Sequence, residues 1–287
     1  MLKKVGQFLK YRILQVEATR NCNLNCEICM RRVLKSTNGM LSFGKFKELM
    51  DATSPYYFRE IALHGWGEPL LNPEIFRMIS YAKKCGFKTS ITTNGTLLTE
   101  NNINRLLDSG LDILALGYYD MNIASKSLSK AENLLKKISE EKAKLRVFLD
   151  VTFFKENVEE ILEVVRVAGS IGVREVVLHR LFKIHGVASE FRPLSSEEEK
   201  QFFPMLEEVC RKLGVKVYLP AEHKLPCRVV EHTLFVTYDL KITPCVFLPE
   251  EHVGNFSGKI HKILTTASYR RFVNGMSLHP VCSKCIW

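Results

Sequence analysis

The sequence has no run of about 18 consecutive apolar residues, the length that a membrane-crossing helix requires. Its opening stretch, MLKKVGQFLKYR, is basic but has no apolar core long enough for a secretory signal. The expectation is a soluble, cytoplasmic protein without a membrane partner. Long Pro, Ser or Gln tracts are missing, as are runs of like charge and any repeat of fixed period. These absences argue against linker-like, disordered and solenoid architectures. What remains is a 287-residue chain with 46% hydrophobic, 10% aromatic and 25% charged residues, enough to bury one large α/β core or a large core beside a smaller unit.

In a chain without an export signal, nine cysteines read as metal ligands or reactive thiols before they read as disulfides, because the cytosol keeps thiols reduced. Seven stand in two groups: Cys22, Cys26 and Cys29 near the start, and Cys227, Cys245, Cys282 and Cys285 toward the end. Cys85 and Cys210 fall in helical patterns beside Phe87 and Leu213 and read as core thiols. The formal charge of +10 favours an anionic partner in principle. The lysines and arginines are scattered rather than striped, however, which argues against a nucleic-acid surface.

From Ile13 to about Phe182, short β-branched or apolar runs alternate with longer helical patterns, as in repeated βα units on a parallel sheet. The expected strands are 13–19, 60–64, 88–93, 112–118, 146–153 and 175–180. Asn72, ahead of Pro73, and Thr99 offer side-chain oxygens as helix N-caps, while Gly86 and Gly110 sit where helices should stop. Six such units are too few for a closed eight-stranded barrel. The fold class is therefore α/β, a partial (β/α)6 TIM-like barrel with its active face at the C-terminal ends of the strands. Beyond Phe182 a polar link leads to a helix capped by Ser195, with Glu198 three residues on; short strands, turns and cysteines follow from Lys216. The expected organisation is a barrel core over 1–185, a linker and helix over 186–214, and a small Cys-rich α+β extension over 215–287.

The first strand runs into Arg20-Asn21-Cys22-Asn23-Leu24-Asn25-Cys26-Glu27-Ile28-Cys29. A cubane 4Fe-4S cluster normally takes four Cys thiolates. A tight loop with three, spaced Cys-x3-Cys-x2-Cys and with no fourth nearby, can ligate three irons and leave one open for chemistry. The alternatives are buried free thiols or a zinc site, although zinc loops usually pair Cys-x2-Cys with a second pair or with histidines. The loop resembles the signature of the radical S-adenosylmethionine (SAM) superfamily, with Ile28 at its variable position. The resemblance implies a catalytic 4Fe-4S cluster on Cys22, Cys26 and Cys29 whose fourth iron chelates SAM, with Ile28 against the adenine. It further implies that one electron breaks a carbon–sulfur bond of SAM, giving methionine and a 5′-deoxyadenosyl radical that abstracts hydrogen from a substrate.

After the second strand comes His64-Gly65-Trp66-Gly67-Glu68-Pro69. Alone, such a stretch reads as a turn. Beside the cysteine loop it resembles the superfamily's Gly-Gly-Glu-Pro motif, with Trp66 in place of the first glycine of the pair. The resemblance implies that Gly65, Gly67, Glu68 and Pro69 face the SAM amino group. Thr93 and Asn94, at the end of the third strand, are expected polar contacts in the cofactor pocket; a plain Asn94-Gly95 turn is the alternative. Where relatives place a serine and an acidic residue after the fourth strand, this chain has Leu116-Gly117-Tyr118-Tyr119-Asp120. His179 and Arg180 end the sixth strand, and Arg180 reads as a surface arginine more readily than as a partner of the cofactor carboxylate.

Cys227, Cys245, Cys282 and Cys285 offer four soft ligands for a closed site, either 4Fe-4S or zinc. The stretch 238–245 with the terminal Cys-x2-Cys resembles the SPASM or twitch extension of radical SAM proteins, which implies one auxiliary 4Fe-4S cluster; Leu240 stands where glycine is common. Two clusters on seven thiolates would lower the net charge to about +7. The resemblance implies SAM as cofactor, ferredoxin or flavodoxin as reducing partner, and a peptide, a protein or a small molecule such as a pterin as substrate. A non-enzymatic zinc or iron-sulfur module and a tRNA-modifying radical enzyme are the alternative functions. No general acid or base is assigned; Tyr118, Tyr119, Asp120 and Asp150 are candidates by position.

Overall fold

Strand-forming apolar runs and capped amphipathic helices alternate along the chain, and the computed structural model describes them over residues 12–118 and 121–285. Tyr119 and Asp120 lie outside the described residues. In chain order the elements are β1 (Arg12–Val16), α1 (Phe43–Asp51), β2 (Phe58–Ala62), α2 (Ile75–Lys84), β3 (Lys88–Thr93), α3 (Glu100–Asp108), β4 (Ile113–Tyr118), α4 (Met121–Glu141), β5 (Arg146–Phe153), α5 (Val158–Ser170) and β6 (Glu175–Arg180). Then follow α6 (Ser196–Leu213), β7 (Lys216–Tyr218), α7 (Arg228–His232), β8 (Thr233–Val236), β9 (Lys241–Thr243), β10 (Gly254–Asn255) and α8 (Ala267–Gly275).

Strands β1 to β7 pair in sequence order and all in parallel. β8 adds to the other side of β1, also in parallel, and β9 and β10 follow antiparallel. The resulting ten-stranded sheet keeps two edges, β10 and β7, so it is an unclosed barrel. Parallel strands buried on both faces need nearly continuous apolar runs, and β4 reads Ile-Leu-Ala-Leu accordingly. Helix α2 packs on β3, α5 on β5, and α6 on α5 and β7. Among the described residues no helix is long and apolar enough to cross a membrane.

The expected strands 88–93, 146–153 and 175–180 coincide with β3, β5 and β6. β1 stops at Val16, short of residue 19, because the buried Glu17 turns its carboxylate to Arg20 Nε at 3.0 Å and to the Tyr238 amide at 3.3 Å. Asn72 Oδ1 accepts from the Glu74 amide at 3.0 Å, as expected of a capping oxygen, although α2 begins two residues later than expected. The helix starts behind Glu74, while the fully buried Asn72 amide donates to the carbonyls of Ala18 at 2.8 Å and Leu41 at 3.0 Å. Thr99 caps α3 through the Asn102 amide, and Ser195 and Glu198 form a reciprocal capping box on α6. Gly86 and Gly110 follow α2 and α3 at φ +87 and +73.

Candidate active site

A cavity of ≈ 190 Å³ opens at the C-terminal ends of the parallel strands. Cys22, Cys26, Ile28 and Cys29 form one wall. This loop leaves β1 through the Glu17–Arg20 pair; the Arg20 guanidinium lies over the Tyr238 ring, and Arg31 Nε donates back to the Arg20 carbonyl at 2.9 Å. Within the loop, the Cys29 amide donates to the Cys26 carbonyl at 3.1 Å and the Leu24 amide to Cys22 Sγ at 3.4 Å. Burial raises the Cys22 and Cys29 thiols above their ordinary range, so formation of thiolates there is coupled to arrival of a cation. Among the described residues no three His, Cys, Asp or Glu side chains converge as they would on a single metal ion. The three sulfurs instead share a wall.

The opposite lip is Gly65-Trp66-Gly67-Glu68. A Cβ on Gly67 would lie 2.2 Å from the Thr19 carbonyl oxygen and 2.7 Å from that of Asn21, so only glycine fits. That approach lets the Glu68 amide donate to the Asn21 carbonyl at 2.8 Å, which joins the glycine loop to the cysteine loop. The Glu68 carboxylate points inward, 2% exposed, and accepts from Thr93 Oγ1 at 2.8 Å, the Asn94 amide at 2.8 Å and the Leu70 amide at 3.1 Å. Burial pushes its pKa up to about 7 against those three donors. Both oxygens being engaged, Glu68 fixes the lip from behind. The loop itself offers three thiols and the four other clustered cysteines line a separate cavity, so the three-thiol donor set fits a cluster with an open corner. Pro69 opens a single 3-10 turn that Glu68 caps.

Thr93 and Asn94 line the same cavity. Asn94 is also a turn residue: its side-chain oxygen accepts from the Thr96 amide at 3.0 Å, and Gly95 follows at φ +74. Its Nδ2 donates to Asn23 Oδ1 at 3.1 Å, and Asn23 Nδ2 donates to Thr96 Oγ1 at 2.8 Å. Asn23, not singled out from the sequence, thus ties the cysteine loop to β3.

The floor and far wall come from residues that carry no role, or only a position, in the sequence reading. Gln15, His64, Asp150, Thr152 and His179 supply polar groups. Asp150 and Thr152 share a face of β5 by strand alternation, and Thr152 stands opposite His179 in the β5–β6 register. Trp66, Phe182 and Phe247 supply apolar surface, with ring centroids 4.4 to 5.8 Å apart. Trp66 Nε1 donates to the Val246 carbonyl at 3.0 Å, and His185 Nε2 donates to that of Phe247 at 3.0 Å. Arg180 is outside the cavity, held by Glu199 at 2.6 and 2.8 Å and by the Ala221 carbonyl at 2.7 Å. Tyr118 hydrogen-bonds Glu160 and does not line the cavity.

Phe247 also borders a second, smaller cavity lined by Cys227, Cys245, Cys282 and Cys285. Burial raises the Cys245 and Cys282 thiols, that of Cys282 to about 11, and the neighbouring thiols add to both shifts. The turn before Cys282 is set by His279, whose Nδ1 accepts from the Cys282 amide at 3.3 Å while Nε2 meets Glu251 at 2.8 Å. Leu240 adopts φ +67, the left-handed region that explains why glycine suits this position.

An unclosed parallel barrel with a three-thiol loop after β1 and a Gly-x-Gly-Glu lip after β2 defines a SAM-dependent iron-sulfur class. The chain matches the Radical SAM superfamily over residues 16–190 and belongs to it. That family carries a 4Fe-4S cluster and SAM, and this chain is accordingly an enzyme. A tungsten-containing aldehyde ferredoxin oxidoreductase cofactor-modifying protein of Pyrococcus furiosus is 24% identical over 316 residues, covering 96% of this chain and 87% of its own. A probable GTP 3′,8-cyclase of Methanothermobacter thermautotrophicus is 36% identical over 110 residues, 38% of this chain and 35% of its own. Among solved structures, Streptococcus suis SuiB bound to SAM has a TM-score of 0.77 at 15% identity, covering 99% of this chain and 72% of that one. At that identity the likeness concerns the fold.

Proposed function

We propose that this chain cleaves SAM reductively and uses the radical to abstract hydrogen from a small molecule in cofactor assembly. The observation that carries the reading is the convergence of Cys22, Cys26, Cys29, the Gly67 lip and the Thr93-Asn94 strand end on one cavity. When bound, the cluster supplies the electron and the open iron, and SAM supplies the hydrogen-abstracting group. The chain's own residues do the positioning. Gly67 lets the lip backbone approach, Glu68 locks lip to strand end, Ile28 offers an apolar contact, and the aromatic wall limits water. Similarity along almost the whole chain to a protein named for modifying a tungsten cofactor supports a small-molecule substrate over a peptide.

The four C-terminal thiols are read as ligands of an auxiliary 4Fe-4S cluster, supported by their soft donor set in a mostly apolar cavity. In this reading the core spans 1–185, the linker and helix 186–214 and the auxiliary unit 215–287, with ferredoxin or flavodoxin as electron donor in the cytoplasm. Anaerobically reconstituted protein is expected to hold about eight irons and to release 5′-deoxyadenosine from SAM on reduction; Cys285→Ala should leave about four irons. Normal SAM cleavage by the triple Cys22, Cys26 and Cys29 alanine variant would overturn the assignment.

A further inference from the structure

Two polar atoms on the cavity floor have no hydrogen-bond partner. His64 Nδ1 is one, and Asp150 Oδ1 is the other. Asp150 Oδ1 stands 2.7 Å from His179 Nε2, close enough for an ion pair but not aligned as a hydrogen bond. A shielded polar group left without a hydrogen bond costs about 1–3 kcal/mol; the His179 ion pair offsets part of that at Asp150, so the unbonded His64 Nδ1 beside an Asp150–His179 pair, all in the lining of one cavity, marks a place where a ligand's polar groups belong. Burial pushes His64 down to about 4, with Asp150 opposing the shift, so the imidazole is neutral near pH 7 and presents one donor and one acceptor nitrogen.

Position sharpens the choice of ligand. Asp150 lies three residues before the end of β5, roughly 10 Å below the barrel rim, and His179, one residue before the end of β6 and level with Thr152, comes within 2.7 Å of its Oδ1 from nearer the rim. A compact molecule reaches such a floor from above. A peptide running across the mouth does not. Above the floor, the rings of Trp66, Phe182 and Phe247 lean into one wall at interplanar angles of 51 to 58°. An apolar aromatic wall over a carboxylate and a neutral imidazole matches a flat, conjugated ring with polar edges.

We propose that Asp150, His179 and His64 form the recognition floor for the substrate, a planar nitrogen heterocycle that presents an N–H donor to the Asp150 carboxylate and packs its ring against Trp66, Phe182 and Phe247. The proposal rests on the radical-enzyme reading above. It names the class of molecule from which hydrogen is taken. The adenine of SAM has the same chemistry, so the test must separate the two sources.

Equilibrium dialysis of the reconstituted protein against pterin, and separately against SAM, makes that separation. Wild type should bind pterin saturably at one site per chain. Asp150→Asn, which keeps the shape but turns an acceptor into a donor, should weaken pterin binding about tenfold or more, and His179→Gln should do so independently. In both variants the loss should be larger for pterin than for SAM. The proposal fails if wild type shows no saturable pterin binding, if both variants bind pterin like wild type, or if SAM binding falls as much as pterin binding, which would give the floor to the cofactor's adenine. Release of 5′-deoxyadenosine by the same wild-type preparation is read in parallel. If it occurs without pterin binding, only the substrate class falls; if it does not occur, the radical reading itself has failed.

Discussion

Replacing Gly67 by alanine tests the central geometric claim, that the glycine lip must touch the cysteine loop backbone to backbone. The added methyl would sit 2.2 Å from the Thr19 oxygen and 2.7 Å from the Asn21 oxygen, and neither obstacle is a flexible side chain that can swing away. Either the lip retreats or the cysteine loop does, and retreat breaks the 2.8 Å bond from the Glu68 amide to the Asn21 carbonyl. Overpacking of this kind costs about 1–3 kcal/mol and the lost buried hydrogen bond about 1 more, so a destabilisation of about 2–4 kcal/mol is expected. That is less than the stability of a typical domain, and the variant should still fold. Displacing the lip by the roughly 1 Å needed should nevertheless slow SAM cleavage on the order of 100-fold. The matched control is Gly44→Ala in α1, where a Cβ meets nothing within 4 Å and where alanine should stabilise by about 0.5–1 kcal/mol. Urea denaturation and 5′-deoxyadenosine release measured on both variants check the argument. It is refuted if Gly67→Ala unfolds within about 0.5 kcal/mol of wild type and cleaves SAM at the wild-type rate.

Three further outcomes follow from the same contacts. Glu68 keeps a raised pKa of about 7 in the folded chain against 4.5 in the unfolded one, so the stability it contributes is fully present below about pH 4.5 and is lost as pH rises through about 7, a difference of about 3 kcal/mol. Urea unfolding of the cluster-free protein from pH 5 to 8 should therefore show a steeper fall for wild type than for Glu68→Gln, and equal slopes would contradict the buried carboxyl. Ser195→Ala removes one half of the α6 capping box and should cost about 1 kcal/mol in denaturation without altering iron content. Trp66→Phe leaves the Val246 carbonyl without its indole donor; a loss of about 1 kcal/mol is expected, together with a higher rate of hydrogen exchange at the residues beside Cys245.

Much of this fold could be read locally. β3, β5 and β6 are continuous β-prone runs between glycine and cap signals, and α3 and α6 announce themselves through Thr99 and Ser195. The cysteine loop was legible because three thiols at that spacing have few other uses. Asn72 was half legible: its side-chain oxygen accepts from the Glu74 amide at 3.0 Å, as an Asn before Pro-Glu suggests, but its amide is claimed by two carbonyls from distant loops, Ala18 and Leu41. Nothing local announces that kind of claim.

The pairing of β8 with β1 was equally hidden, since four residues some 220 positions away carry no signal of their partner. Yet that pairing brings Val246 and Phe247 to the mouth of the barrel and places one phenylalanine between the strand-end cavity and the four-thiol cavity. The cavity floor is a subtler case. In a parallel strand buried on both faces, periodicity cannot say which face looks into the lumen, because both are apolar. The residues that break the apolar run can. Gln15 in β1, Asp150 and Thr152 in β5 and His179 in β6 are polar interruptions in strands that otherwise bury Leu, Val and Phe, and all four line the cavity. Placing a carboxylate and an imidazole inside a barrel opposes folding unless they find partners; Asp150 and His179 pair with each other at 2.7 Å and still keep a part-exposed polar edge for whatever enters the lumen.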